Sequence, residues 1–252
     1  MNPSLDGRVA FISGAGHGIG RATALAMARL GATVGINDLK QDFVDETVAE
    51  IRRLGGVALP LPADVSTRDG MRDAVQRLAR EAGRLDVMVN NAAWVRYQPL
   101  AEITPEVLDR MVEIGFKSVI WGIQAAAEAM DPERGGSIVN VASIAAIKSP
   151  PRSVVYSGLK AGVLGITRAA AADLGPRRIR VNAVAPGAVP TEGTAKHRSA
   201  ELDARRIART PLGRLGTVED IADAICFLAG DGSRFINADV LSLDGGMSQT
   251  SL

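Results

Sequence analysis

The chain has few of the residues that mark specialised classes of protein. Cys226 is the 1 cysteine among 252 residues, so an intramolecular disulfide is excluded and a reducing compartment is indicated. Aromatic residues make up only 4% of the sequence, and the net charge is +1. This charge balance gives no sign of nucleic acid or of an anionic membrane as a partner.

Long hydrophobic runs and grouped metal ligands are also missing. No apolar run approaches the ~18 residues that a membrane-spanning helix needs. The first run, Val9–Ile12, is followed by glycines too early for a signal peptide. The two histidines, His17 and His197, lie far apart in the sequence. We therefore expect a cytoplasmic protein with no metal site, no nucleic-acid partner and no membrane partner.

The sequence does contain a regular alternation of short apolar runs and amphipathic segments. Thr104 followed by Pro105 predicts one helix start, and Thr217 with Asp220 predicts another. Buried strands separated by helices predict an α/β fold, a single Rossmann-type, doubly wound parallel sheet flanked by helices on both faces. The seven predicted strands are Val9–Ile12, 34–36, 57–61, 87–89, 138–141, 181–184 and Val240–Leu243.

No linker or break in composition divides the chain, so we predict a single domain over residues 1–252. The one long irregular stretch, at about 186–215, has the length of a functional lid. Acidic and basic residues alternate within it, which favours a solvated amphipathic helix in this lid.

A glycine-rich turn, residues 13–20, connects the first predicted strand to a helix. In such a turn, backbone amides can approach a pyrophosphate at the positive end of the helix. Asp38, after the second predicted strand, can accept hydrogen bonds from the adenosine ribose of NAD, or it can serve as a turn or capping residue. No basic residue directly follows Asp38, although Lys40 and Arg21 are near, so the sequence favours NAD over NADP.

Tyr156 and Lys160 stand four residues apart, which places them on one face of a helix. A free tyrosine has a pKa near ~10, and an ammonium at about 4 Å would stabilise the phenolate enough to bring that pKa towards neutrality. The pair can therefore act as a general acid and base on an alcohol or carbonyl. Taken alone it also fits an ordinary surface pair, and Ser143 together with the glycine-rich turn favours catalysis.

Ordered motifs along nearly the whole chain resemble those of the short-chain dehydrogenase/reductase family. Several such motifs at familiar spacing are specific, whereas one alone is not. The matching residues are Ser13, Gly14, Gly18 and Gly20 in the glycine turn, Asp64-Val65, Asn90-Asn91-Ala92-Ala93, Ser143, Tyr156 and Lys160, Pro186-Gly187 with Val189 and Thr191, and Asp244-Gly245-Gly246.

The resemblance implies an oxidoreductase that transfers a hydride between NAD(H) and a secondary alcohol or ketone, and a homotetramer or homodimer. Tyr156 would exchange the proton with the substrate oxygen, which Ser143 would orient, and Lys160 would bind the nicotinamide ribose and lower the pKa of Tyr156. The residues expected to contact the cofactor are Ser13, Gly14, Gly16, His17, Gly18, Ile19, Gly20, Asp38, Asp64, Val65, Asn91, Ala92, Tyr156, Lys160, Pro186, Gly187, Val189 and Thr191.

One position departs from the family pattern, and two other functions stay open. Gly115 stands where many members carry a catalytic asparagine, which predicts an altered proton relay with activity retained. An NADPH-dependent 3-oxoacyl-(acyl-carrier-protein) reductase is the first alternative, although Asp38 disfavours NADPH. A non-catalytic NAD-binding regulatory protein is the second, although the complete catalytic set disfavours it. Trp94 predicts an apolar substrate wall, suited to a cyclic or aliphatic secondary alcohol.

Overall fold

The structure is a computed structural model that describes residues 4–250, apart from the side chains of Lys196 and His197. Its strands are β1 Val9–Ile12, β2 Thr33–Ile36, β3 Val57–Pro60, β4 Val87–Asn90, β5 Gly136–Val141, β6 Ile179–Pro186 and β7 Val240–Leu243. Its α-helices are α1 Gly18–Arg29, α2 Gln41–Arg53, α3 Arg68–Ala82, α4 Pro105–Val112, α5 Ser118–Ala129, α6 Val154–Leu174, α7 Ala200–Ala208 and α8 Val218–Ala229.

The strands form one 7-stranded sheet in the order β3-β2-β1-β4-β5-β6-β7, and every neighbouring pair is parallel. The predicted doubly wound parallel sheet is therefore confirmed. The strand order reverses between β1 and β4, and ligands of such sheets bind in the crevice at the carboxyl ends of the strands beside that reversal. The segments that follow β1, β4, β5 and β6 meet at this edge of the sheet.

The interior strands are buried because helices cover both faces of the sheet. On one face α1, α2 and α8 contribute apolar side chains such as Met27, Ile51 and Ile225. On the other face α3, α5 and α6 contribute residues such as Leu78 and Val163. Each such side chain contributes roughly 1.5–3 kcal/mol when it is fully buried. Both layers hold the carboxyl edge of the sheet in place.

Cys226 lies in the first of these two core layers and is buried, as expected for a small core residue. Burial raises the pKa of its thiol to about 12. A thiol in that state is a poor nucleophile, so Cys226 serves packing.

Edge strands differ from the sequence prediction of buried strands. Val57 in β3 is 57% exposed, and all of β7 is only half-buried. An edge strand has a neighbour on one side alone, so an apolar run does not by itself indicate full burial. The prediction of buried strands is correct for the interior of the sheet and wrong for these two edges.

The predicted helix starts are confirmed by their hydrogen bonds. The hydroxyl of Thr104 accepts from the amide of Val107 at 3.4 Å, with Pro105 at the first helical position. Thr217 and Asp220 form a capping box at the start of α8. These side chains satisfy amides that a helix start leaves without partners.

A π-helical turn, Glu113–Lys117, joins α4 to α5, and the sequence did not predict it.

The stretch at about 186–215 contains the predicted solvated amphipathic helix as α7, which has no buried residue. It also contains a 3₁₀ turn, Glu192–His197, so the expectation of an irregular stretch is wrong for these residues. The role of this stretch as a lid stays a prediction.

No helix within residues 4–250 is both long enough and apolar enough to cross a membrane. In the same described part of the chain, no group of three or more His, Cys, Asp or Glu side chains could hold a metal ion. His17 is described, whereas the side chain of His197, the second histidine weighed as a ligand, lies outside the described residues.

Candidate active site

The glycine-rich turn folds tightly against the start of α1. Gly14 and Gly18 have φ angles of 62° and 55°, a region that favours glycine. A Cβ on Gly20 would lie 2.2 Å from the carbonyl oxygen of Gly14, so no larger residue fits there. The turn therefore brings backbone amides to the carboxyl edge of the sheet.

Asn91, which follows β4, is hydrogen-bonded to the glycine-rich turn. Its side-chain amide donates to the carbonyls of Ser13 at 2.9 Å and Gly14 at 3.0 Å. In return the Ser13 hydroxyl accepts from the backbone amides of Asn91 at 3.0 Å and Ala92 at 3.1 Å. Ser13 and Asn91 thus join the ends of β1 and β4, where the strand order reverses.

The N-terminus of α1 has no acceptor of its own. His17 at the N-cap makes no capping hydrogen bond, and the first turn, with Gly18, Ile19 and Gly20, carries no acidic residue. A helix start with free amides and a positive dipole end binds anions. These features fit the pyrophosphate of a dinucleotide.

Asp38 lies beside the glycine-rich turn. One carboxylate oxygen accepts from the amide of Gly16 at 3.2 Å, and the other accepts from the amide of Lys40 at 3.4 Å. The Nδ1 atom of His17 is 4.0 Å from the carboxylate, and its ring stacks on Phe43. A Cβ on Gly16 would lie 2.8 Å from Asp38, so this glycine lets the carboxylate approach the turn.

The basic residues near Asp38 are engaged elsewhere. Arg21 pairs with Glu50 at 2.5 Å. The ammonium of Lys40 lies 5.0 Å from the centre of the Phe43 ring. Neither arrangement directs a cation at the carboxylate of Asp38. Neither Arg21 nor Lys40 therefore neutralises the negative charge of Asp38.

The other predicted cofactor contacts lie on two different loops, one after β3 and one after β6. Asp64 is exposed and accepts from the amide and hydroxyl of Ser66, while Val65 is buried. The Gly187 amide donates to the Leu243 carbonyl at 2.9 Å, which fixes the exit of β6 after Pro186. Val189 packs on the core near α8. Thr191 starts the 3₁₀ turn and lies over Gly18.

Ser143 and Tyr156 meet directly, as their order in the sequence predicts. Ser143 is buried after β5, and its hydroxyl accepts from the amide of Ala145 at 3.1 Å. Burial raises the pKa of the Tyr156 phenol, and a hydrogen bond with Ser143 lowers it, with a net increase. Burial therefore keeps the Tyr156 phenol protonated at neutral pH.

Lys160 lies on the same face of α6 and is almost completely buried. Its ammonium donates to the carbonyl of Val141 at 2.7 Å and lies 5.9 Å from the centre of the Tyr156 ring. Burial lowers the pKa of Lys160 to about 8. The spacing predicted an ammonium close to the phenol, and the structure shows that its nearest partner is instead a carbonyl at the end of β5.

Gly115 lies inside the π-helical turn, buried, against α6. A Cβ at this position would contact Leu159 at 3.5 Å, an ordinary packing distance. The ring of Phe116 in the same turn lies over Gly162 of α6. The departure from the family pattern thus leaves space beside the helix that carries Tyr156 and Lys160.

Sequence analysis gave no role to Tyr97, which the structure places in this site. Its ring centre lies 5.7 Å from that of Tyr156 with the planes at 68°. Trp94, predicted as an apolar wall, packs against the Arg110 guanidinium at 4.4 Å. A signal for Tyr97 was available, because the chain contains only 2 tyrosines and one of them is the predicted acid.

The lid charges are mostly paired on the lid itself. Arg198 binds Asp203 at 2.6 Å, and Arg206 lies 3.6 Å from the same carboxylate. Arg205 pairs with Glu201 at 2.6 Å. These pairs agree with a solvated lid helix.

A family model described as enoyl-(acyl carrier protein) reductase matches residues 14–248, and this match spans the glycine turn, the tyrosine and lysine pair and the lid. The chain belongs to the short-chain dehydrogenase/reductase family. It is therefore an oxidoreductase that acts by hydride transfer on an alcohol or ketone group.

Individual relatives support the same assignment. The 3-oxoacyl-[acyl-carrier-protein] reductase FabG of Thermotoga maritima is 39% identical over 96% of this chain and 98% of its own length. A 7α-hydroxysteroid dehydrogenase, in complex with NADH and 7-oxo glycochenodeoxycholic acid, is 32% identical with a TM-score of 0.94, covering 99% of this chain and 97% of its own. A gluconate 5-dehydrogenase from Burkholderia cenocepacia, in complex with NADP and tartrate, is 31% identical with a TM-score of 0.94, covering 98% of both chains.

Proposed function

We propose that this protein is an NAD-dependent dehydrogenase of secondary alcohols, or reductase of the corresponding ketones, with Tyr156 as its general acid and base. The observation that carries the proposal is the grouping of three side chains: the ammonium of Lys160 lies 5.9 Å from the centre of the Tyr156 ring, and a hydrogen bond with Ser143 lowers the pKa of the same phenol. A bound nicotinamide supplies the hydride donor or acceptor.

The roles of the three residues follow from their chemistry. In ketone reduction the phenol of Tyr156 donates its proton to the substrate oxygen, and in alcohol oxidation the phenolate takes that proton back. Ser143 hydrogen-bonds the same oxygen and holds it near Tyr156. Lys160 is tied to the carbonyl of Val141, so its ammonium is fixed while its remaining N–H groups can reach a ribose hydroxyl.

Replacement of Tyr156 by phenylalanine tests this mechanism. The variant Tyr156→Phe keeps the ring and removes the proton donor, so turnover should fall by about a hundredfold or more. Nicotinamide absorbance with a panel of secondary alcohols and ketones measures turnover, and NADH fluorescence measures binding. Tight NADH binding with turnover lost supports the proposal, whereas a variant as active as the wild type contradicts it.

The surroundings of Asp38 support NAD as the preferred cofactor. A 2′-phosphate would lie beside this carboxylate, while Arg21 is already paired with Glu50. We expect NADH to bind at least about tenfold more tightly than NADPH, the size of effect that one repelled charge produces. Asp38→Ala should reduce that ratio, and tighter binding of NADPH by the wild type would reject the assignment.

A 3-oxoacyl-(acyl-carrier-protein) reductase is the second candidate, favoured by the similarity to FabG of Thermotoga maritima. The two candidates differ in the substrate they accept. A 3-oxoacyl thioester reduced faster with NADPH than any simple ketone with NADH would favour the second. The packed Trp94 and the paired lid arginines favour the first.

Three further points of organisation stay proposals. We propose that residues 186–215 act as the substrate lid of a single cofactor-binding domain. We expect a homotetramer or homodimer, which light scattering checks, and the fully exposed ring of Phe235 is one apolar group that such an interface could cover. A cytoplasmic location remains a prediction based on the single cysteine.

A further inference from the structure

The two tyrosines of the chain are brought together by the fold. Tyr97 follows β4, and Tyr156 lies in the first turn of α6. Their ring centres are 5.7 Å apart and their planes meet at 68°, which is an edge-to-face contact. This geometry is favourable for aromatic pairs because the positive edge of one ring meets the negative face of the other. The Tyr97 ring thus packs against the ring of Tyr156 and limits its rotation.

The loop that carries Tyr97 is attached to the entry of the same helix. The backbone amide of Gln98 donates to the carbonyl of Arg152, just before α6, at 3.0 Å. The buried side chain of Gln98 donates to the carbonyl of Glu102. The backbone next to Tyr97 is therefore hydrogen-bonded to the segment that leads into α6.

The phenol of Tyr97 does not compete with Tyr156 for the role of acid. Burial raises the pKa of Tyr97, and the charge on Tyr156 raises it further. Tyr97 therefore stays a neutral hydroxyl at neutral pH.

We propose that Tyr97 is a positioning residue that fixes the plane of the Tyr156 ring. The inference rests on the proposed role of Tyr156 as general acid and base. Without the Tyr97 ring, the Tyr156 ring turns about its side-chain bonds and spends less time aligned with the substrate oxygen. Loss of an aromatic pair of this kind corresponds to a change of about two- to tenfold in rate.

Two substitutions separate the ring of Tyr97 from its hydroxyl. Tyr97→Leu removes the ring and should lower kcat about five- to tenfold, move the midpoint of the pH profile of kcat, and leave the dissociation constant of NADH unchanged. Tyr97→Phe keeps the ring and should retain kcat within about twofold. Leu100→Ala, an exposed position near the same loop, serves as the matched control and should behave as the wild type.

A second substitution guards against a folding defect in Tyr97→Leu. Tyr97→Met also removes the ring but fills similar space with a flexible side chain, so it should show the same fall in kcat. The test therefore remains informative if Tyr97→Leu fails to fold.

Other results overturn the inference. Wild-type kcat and pH profile in Tyr97→Leu, or a rise in KM alone, would show that Tyr97 does not act through Tyr156. Tyr156→Phe, measured alongside, separates the failures: an active Tyr156→Phe rejects the proposed function itself, whereas an inactive one with an unaffected Tyr97→Leu rejects this inference alone.

Discussion

At the scale of single residues, two ionisable side chains on α6 have pKa values shifted in opposite directions: that of Tyr156 is raised and that of Lys160 is lowered. Burial raises the pKa of Tyr156, so the phenol that donates a proton in ketone reduction is present throughout the neutral range. Alcohol oxidation needs the phenolate, whose population grows as pH rises towards that raised pKa. Lys160 has its pKa lowered to about 8, so its ammonium is present below that pH and is lost above it.

We therefore expect the two directions of the reaction to have different pH profiles. The rate of reduction should be flat near neutrality, whereas the rate of oxidation should rise with pH. Affinity for the cofactor should fall above about pH 8, where Lys160 loses its charge. Measurement of kcat/KM and of NADH binding between about pH 6 and 10 checks this. Parallel profiles in both directions would contradict the assigned role of Tyr156.

Gly115 gives a second prediction at this scale. Gly115→Asn places the side chain common in the family into space that admits a Cβ at 3.5 Å from Leu159. The variant should fold, bind NADH as the wild type does, and shift the pH profile of kcat, because an added amide changes the hydrogen bonds available to water beside Lys160. Gly115→Ala, which fills the same space without polar atoms, is the control. Identical profiles for wild type and both variants would reject a relay at this position.

Residue-level prediction from sequence worked where side-chain identity carries the information. The contact of Ser143 with Tyr156 and the place of Asp38 beside the glycine turn were both expected from motif order. The attachment of Lys160 to Val141 was not expected, because its acceptor is a backbone carbonyl and every residue has one. The spacing of Tyr156 and Lys160 therefore predicted a closer contact between ammonium and phenol than the structure has, because it could not show that the ammonium binds the Val141 carbonyl.

At the scale of elements, apolar runs predicted the strands well because all seven lie in one parallel sheet, whose interior strands need apolar residues on both faces. Helix starts were equally accessible, since Thr104 and Thr217 are residues with a known capping chemistry. The π-helical turn around Gly115 was not predictable, because a switch to i→i+5 hydrogen bonds has no distinctive composition. Exposure of β7 also escaped prediction, since its sequence does not say that it ends the sheet.

The turn that leads into β7 carries a strained residue. Ala238 has a φ of 64°, a left-handed conformation that costs a residue with a Cβ about 1 kcal/mol. Ala238→Gly should relieve this strain and raise the free energy of unfolding by up to about 1 kcal/mol, less the extra freedom glycine has in the unfolded chain. Ala172→Gly, at an exposed site inside α6, should instead lower it by about 1 kcal/mol. Denaturant melts of both variants check the prediction, and a loss of stability in Ala238→Gly would refute it.

At the scale of the whole molecule, one buried chain of polar groups joins the centre of the sheet to the catalytic helix. Asn90 of β4 donates to Asn140 of β5 at 2.8 Å, and Asn140 donates to Thr167 of α6 at 3.0 Å. All three side chains are buried. Gly122 makes room for this chain, since a Cβ there would lie against the amide oxygen of Asn90. The network therefore sets where α6 sits relative to β4 and β5.

Removal of the middle member should affect stability and catalysis together. Asn140→Ala leaves the buried amide of Asn90 without its acceptor, so the free energy of unfolding should fall by about 2–3 kcal/mol. The Thr167 hydroxyl loses the bond from Asn140 and keeps the one that it donates to the Val163 carbonyl. Since α6 carries Tyr156 and Lys160, kcat should fall as well. Thr167→Ser, which keeps the hydroxyl, is the milder control. Unfolding curves and turnover measured together would contradict the prediction if Asn140→Ala matched the wild type in both.

The meeting of loops at one edge of a parallel sheet has a consequence for how the gene can be divided. The site draws on Ser13 after β1, Asn91 after β4, Ser143 after β5 and Thr191 after β6. A fragment must therefore run at least from Ser13 to Thr191 to contain every one of these groups. Insertions are best placed at the opposite, amino edge of the sheet.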